Sequence, residues 1–139
     1  MKLPNNELRT FVYNRLNGVI TYLTRVIAVD SLPAADTLFS YIHLSNISIT
    51  ESGTKDQYGT RSSFDIEVVQ QSQDELANYE EIESVSNDVV DRLVDYISDT
   101  PNFNIVWCHF INAIETEELT DTGRTLTNKI TLEYYLTEL

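Results

Sequence analysis

The stretch that most limits what this chain can fold into is residues 78–99. Its apolar side chains Ile82, Val85, Val89, Leu93, Tyr96 and Ile97 recur at spacings of three and four. At roughly 100° per residue that spacing gathers them on one stripe of an α-helix. Ser84, Asp88, Asp91 and Asp95 fall on the opposite stripe, with Glu80 and Glu81 beside it. One face is suited to a core and the other to water. The segments before and after it alternate and are rich in β-branched and aromatic residues. The helix is therefore expected to cover one face of a sheet to which both halves of the chain contribute.

Charge narrows the range of partners. The net charge is −13 and is unevenly spread: residues 1–61 hold six bases and five acids, residues 62–139 three bases and 17 acids. Between Asp74 and Asp99 there are nine acids and one arginine. Clamping a nucleic-acid backbone needs clustered Lys and Arg, which this half lacks. Such a surface suits a basic partner, repulsion of something negative, or solubility alone. Cys108 is the single cysteine, so no disulfide can form within the chain and a reducing compartment is expected. Residues 1–7 lack the apolar core of a signal peptide, and no apolar run nears the ~20 residues needed to span a bilayer. A soluble, cytoplasmically made protein is expected. A chain of 139 residues, 42% hydrophobic, suits one domain spanning residues 1–139 without metal or disulfide.

Along the chain, Asn5 or Asn6 can cap a first helix that presents Leu8, Phe11, Val12 and Leu16, with Arg15 at its margin. Asn17-Gly18 should end it, because Gly just past a helix adopts the left-handed conformation freely. Residues 25–30 read as a short strand and 32–36 as a turn. Residues 39–50 form a strand whose alternation slips between Leu44 and Ile47, which predicts a bulge near Ser45-Asn46. Residues 51–59 are a hairpin connection. Residues 63–71 alternate Phe64, Ile66 and Val68 inward against Asp65 and Glu67 outward. Residues 72–77 link to the central helix, which Thr100-Pro101 helps to end. Residues 103–114 are the most hydrophobic strand candidate. In residues 126–136, Ile130, Leu132, Tyr134 and Leu136 share one face. Residues 115–125 between them read as a charged tip turning at Gly123. The predicted class is α+β, with a mainly antiparallel sheet from two hairpins plus a short strand, packed by an N-terminal helix and a central acidic amphipathic helix.

No catalytic constellation is legible, and no enzyme is expected. His43 and His109 lie in separate strand candidates without zinc-site spacing, and Cys108 and His109, as strand neighbours, point to opposite faces. The four glycines sit at turns, so no Gly-rich loop exists to cradle phosphate. There is no G-x-S-x-G elbow. Trp107 and the eight tyrosines could stack on bases, but without adjoining cations core or interface roles are favoured. No cofactor and no metal are expected.

The order of elements and several short stretches resemble the tail-terminator, or tail-completion, proteins of tailed bacteriophages. Leu8-Arg9-Thr10-Phe11-Val12-Tyr13-Asn14-Arg15-Leu16 looks like that family's first helix, and Val26-Ile27-Ala28-Val29-Asp30-Ser31-Leu32-Pro33 like its short strand ending in an acidic residue and Pro. Tyr41-Ile42-His43-Leu44 sits where the family enters its first hairpin, with Ser40 replacing the usual Pro, and Ile130-Thr131-Leu132-Glu133-Tyr134 looks like its closing strand. The resemblance implies a ring, commonly a hexamer, at the head–tail junction of a virion assembled in the host cytoplasm. Its partners would be the tail tube and the neck or connector proteins. DNA would pass through the lumen without specific binding, and no membrane would be involved. On that reading Asp88, Asp91 and Asp95 face the lumen or the outer wall. The polar tips, carrying Lys55, Asp56 and Tyr58 in one and Glu118, Asp121 and Arg124 in the other, would be mobile in the free subunit and dock on neighbours. The charge fits two alternatives as well: a monomeric acidic immunity-type protein that neutralises a basic partner, and another neck or head-completion protein.

Overall fold

The computed structural model describes residues 2–30, 38–53, 58–72, 78–120 and 123–139, with backbone only at Leu38, Phe39 and Thr120. The turn expected at residues 32–36 and most of the link at 72–77 lie outside these residues.

Two helices lie on one face of a five-stranded sheet. Helix α1 spans Asn5–Leu16 and buries Leu8, Val12 and Leu16. Its N-cap is Pro4, without a side-chain cap bond, rather than Asn5 or Asn6. It ends as its sequence predicts, at Asn17, with Gly18 at φ +78°. A two-stranded hairpin follows, β1 (Thr21–Tyr22) and β2 (Arg25–Val26), turning over Leu23-Thr24. The short strand expected over residues 25–30 is thus split. Arg25 and Val26 pair back onto β1, with the Ile27 N–H still donating to the Ile20 carbonyl (2.9 Å), and beyond it β3 (Ala28–Val29) pairs with β4 instead.

Strands β4 (Leu38–Glu51) and β5 (Gly59–Ser72) form the first long hairpin, with the register slip between Leu44 and Ile47 where the alternation slips. Strands β6 (Phe103–Thr120) and β7 (Gly123–Glu138) form the second. The sheet order is β3-β4-β5-β7-β6, parallel only between β3 and β4. The hairpins join through β5 and β7, which pair along 14 residues from Gly59↔Thr137 to Ser72↔Arg124.

Helix α2 spans Tyr79–Val94 and lies over β5, β7 and β6. Ile82, Val85, Val89 and Leu93 are fully buried with Phe64, Ile66 and Val68 of β5 and Ile130, Leu132, Tyr134 and Leu136 of β7. The predicted stripe is right as far as Leu93 and fails after it. The helix stops at Asp95, and Tyr96 and Ile97 are half exposed. Asp95 and Asp99 oppose the negative end of the helix dipole, which disfavours the further turn that Thr100-Pro101 was expected to close. Tyr96 instead joins the surface of α1. It stacks on Phe11 (centroids 6.2 Å) and lies under the Arg15 guanidinium (3.7 Å).

Strand β6 is longer than its apolar run. Residues 115–120 continue it, paired with Asn128 down to Gly123, so the 11-residue tip expected over residues 115–125 is paired strand at 115–120 and 123–125. Glu117 is held there by an ion pair from Arg124 Nε (3.0 Å) and by the Tyr79 hydroxyl (3.0 Å). Register slips at Ile105/Trp107 and Phe110/Asn112 make Val106 and Ile111 extra residues in β6.

Candidate assembly surfaces

The strongest electrostatic feature is buried. Glu81, in the first turn of α2, is 1% exposed and so does not belong to the solvent-facing acidic stripe where helical spacing put it. Its Oε2 accepts from Ser40 Oγ of β4 and from Gln70 Nε2 of β5, both at 2.8 Å, and its Oε1 pairs with Arg25 of β2. The Gln70 amide also donates to the Asn78 carbonyl (3.1 Å) and accepts the Asn78 N–H (2.8 Å). Asn78 Oδ1 in turn caps the helix by accepting the Glu81 N–H (3.0 Å). A buried carboxylate requires such a set of donors. Here they tie the β1–β2 hairpin, two strands and the start of α2 to one point, a positioning role rather than a reaction.

The remaining acids of α2 face outward. Asp91 and Asp95 are exposed and Asp88 is half-buried, and none makes an ion pair with another described residue. The docking residues expected at the tips are only partly described: Lys55, Asp56 and Asp121 lie outside the described residues. Tyr58 is half exposed while its carbonyl accepts from the Glu138 N–H (3.0 Å). Glu118 is exposed within β6. Arg124 is engaged by Glu117, and residues 117–120, 123 and 124 are paired strand rather than the mobile tip expected to carry Glu118 and Arg124.

Cys108 and His109 part to opposite faces, as expected of strand neighbours. Cys108 is buried opposite Tyr134, and burial pushes its thiol up to about 12, the Tyr134 hydroxyl offsetting only part of that. The same burial holds the Tyr134 phenol well above its usual value. Neither is a poised nucleophile or acid at neutral pH. His109 is exposed and stacks on Trp107 (centroids 4.2 Å), which also stacks on Tyr135 (5.6 Å) with Arg61 5.9 Å above its ring. This row lies on the sheet face away from the helices. Among the described residues no cluster of three or more His, Cys, Asp or Glu could hold a metal, and no helix is long and apolar enough to cross a membrane.

The surface that sequence reasoning missed is the β6 edge. Among the described residues β6 pairs only with β7, and its other side is open. Residues 109–119 are all exposed, and Phe110, Ile111, Ile114 and Leu119 are about half exposed or more. Between this strand and α2 runs a groove of about 380 Å³ whose apolar lining comes from Val90, Phe110, Ala113 and Ile130, with Asp91 at its rim. The available signal was the loss of alternation in residues 103–114, where Ile105-Val106-Trp107-Cys108 and Phe110-Ile111 are consecutive apolar residues. A strand with one solvated face alternates, so apolar residues on both faces of an edge strand point to a second covering surface.

No protein-family model matches the sequence, and no curated protein matches it. Among solved structures, a chain from the virion of a native gene transfer agent (GTA) particle has the same fold. The TM-score is 0.79 over 99% of this chain and 99% of that one, at 16% sequence identity.

Proposed function

We propose that this chain is a non-enzymatic structural subunit of a phage-type virion, and that within it the chain is a tail terminator. Copies would close into a ring, in the hexameric form the resemblance implies, that caps the tail tube and meets the neck. The observation that carries this reading is the end-to-end match of the fold to a virion chain, with no large insertion in either. The open apolar β6 edge supports it, because a closed ring covers edges that a lone subunit leaves unpaired. Exposed acids on α2 support a lumen lined by the helical layer, since carboxylates offer passing phosphates no ion pairs. The opposite sheet face carries Arg61, Lys129, His43 and His109 among its acids and would hold DNA more readily.

The test is assembly without this chain. Tubes of uncontrolled length, unjoined to heads, are the expected product, and adding the chain back should restore uniform, joined tails. Tails of normal length joined to heads in its absence would overturn the terminator reading. The net charge of −13 favours a second reading, an acidic monomer that neutralises a basic protein. That reading requires the chain to be absent from purified particles and monomeric at all concentrations.

A further inference from the structure

A second feature of the surface complements the groove beneath β6. The β1–β2 hairpin turns over Leu23, which has φ +55°, a backbone region that Gly, Asn or Asp usually occupies in a two-residue turn. The strained turn directs a leucine into water: Leu23 is 85% exposed, with Val19 and Val26 exposed beside it. A non-glycine residue held in a strained conformation to display an apolar side chain calls for a reason.

The hairpin leads into one end of the sheet order, resting on the start of α2 through Arg25, and the groove lies at the other end. The hairpin runs directly into β3, the strand at one edge of the sheet, while the groove lies against β6, the strand at the other. Their charges are also opposite. Residues 5–26, which include α1 and the hairpin, carry Arg9, Arg15 and Arg25 against one acid, Glu7, in a chain of net −13, and Arg25 is paired with Glu81 of its own chain. The groove has Asp91 at its rim and Glu115, Glu117 and Glu118 along the strand that continues from it.

We infer that the groove between α2 and β6 receives the β1–β2 hairpin of a second copy of this chain, with Leu23 against Val90, Phe110 and Ala113. The inference rests on the ring reading and supplies its contact. A knob toward one end of the sheet order and a groove at the other make a head-to-tail interface, which leaves a free knob and a free groove on every dimer. Repetition continues until the rotation closes. The basic flank approaching the acidic one sets the direction and speeds the encounter.

Cysteine trapping tests this on the full chain. Leu23 and Ala113 are both exposed, so Leu23→Cys and Ala113→Cys should fold as the parent does, checked by circular dichroism. The buried Cys108 thiol should stay silent. Under mild oxidation, a 1:1 mixture of the two single variants should give a disulfide dimer that goes no further. The double variant Leu23→Cys/Ala113→Cys should give a ladder ending at the ring size. Leu23→Asp, which replaces the apolar knob with a charge facing acids, should weaken self-association about 10- to 100-fold. If Leu23→Cys couples to Ser63→Cys, on the other face of the sheet, as fast as to Ala113→Cys, the contact is wrong. A ring seen in particles without the 23–113 link would sink this contact and leave the ring standing. A chain that never self-associates and is missing from particles would sink both.

Discussion

Replacing Glu81 with alanine should be among the most damaging single changes, although spacing alone makes it look like a surface acid. The substitution removes two hydrogen bonds to an ionised acceptor, from Ser40 Oγ and Gln70 Nε2. Bonds of that kind are worth about 1.5–3 kcal/mol each. Ser40, 4% exposed, loses its acceptor in the interior, whereas Gln70 Nε2 keeps the Asn78 carbonyl. The Arg25 head is 44% exposed and regains water, so its pair with Glu81 adds no more than about 1 kcal/mol. The expected loss is about 3–5 kcal/mol, which for a chain of this size lowers the melting temperature by about 10–15 °C. Urea denaturation of Glu81→Ala beside Glu80→Ala and Glu83→Ala is the assay. Both control positions are exposed and should each move stability by less than about 0.5 kcal/mol. A double-mutant cycle with Ser40→Ala should show coupling, since the two changes remove the same bond. If Glu81→Ala costs no more than its neighbours, the buried network contributes nothing and its assignment as the anchor of α2 is wrong.

The end of the stripe can be tested by truncating Leu93 and Ile97. Leu93→Ala should cost about 2–5 kcal/mol, as for a fully buried leucine, while Ile97→Ala, at a half-exposed position past the helix end, should cost under about 1 kcal/mol in the same melts. With its thiol pushed up to about 12, Cys108 holds about one part in ten thousand thiolate at pH 8. Native protein should therefore resist alkylation that goes to completion in denaturant, and stay resistant until the pH nears 12. Asp88→Lys together with Asp95→Lys should leave fold and assembly unchanged but slow DNA passage, because cations near the path create phosphate contacts within the screening length of about 8 Å. Asp91 is left intact because it also rims the groove. Normal assembly with normal ejection would put the acidic face on the outside of the ring.

Much of the architecture could be read from periodicity, because burial on one side imposes it. Phe64, Ile66 and Val68 alternate, Ile130 to Leu136 alternate, and Ile82 to Leu93 repeat at helical spacing, and all of these reach the core. The slip at Leu44/Ile47 was visible for the same reason. What periodicity cannot give is which strands are neighbours. The β5–β7 pairing that joins the hairpins rests on cross-strand contacts too generic to single out one partner. Glu81 was misplaced because its environment comes from Arg25, Ser40 and Gln70, residues distant in sequence. The β1–β2 hairpin was missed because its turn, Leu23-Thr24, carries none of the usual turn residues. The assembly surfaces follow suit: the acids of α2 were legible as a stripe, while the groove became visible only once β6 was known to be an edge.

The two extra residues in β6 have a consequence for the concentrated nascent protein. An 18-residue edge with exposed Phe110, Ile111 and Ile114 is the kind of template on which like strands stack into fibrils. Fibril growth needs a long run of backbone groups in uninterrupted register. Val106 and Ile111 each throw the ladder out of phase and sharpen its twist, so no straight segment of β6 longer than the nine residues from Asn112 to Thr120 is offered to an incoming strand. That last segment carries three glutamates, and like charges stacked at every layer repel. The same edge can therefore stay sticky toward a shaped neighbour while being a poor seed for amyloid. Removing either bulge residue should be tolerated by the monomer and show its cost as aggregation on storage.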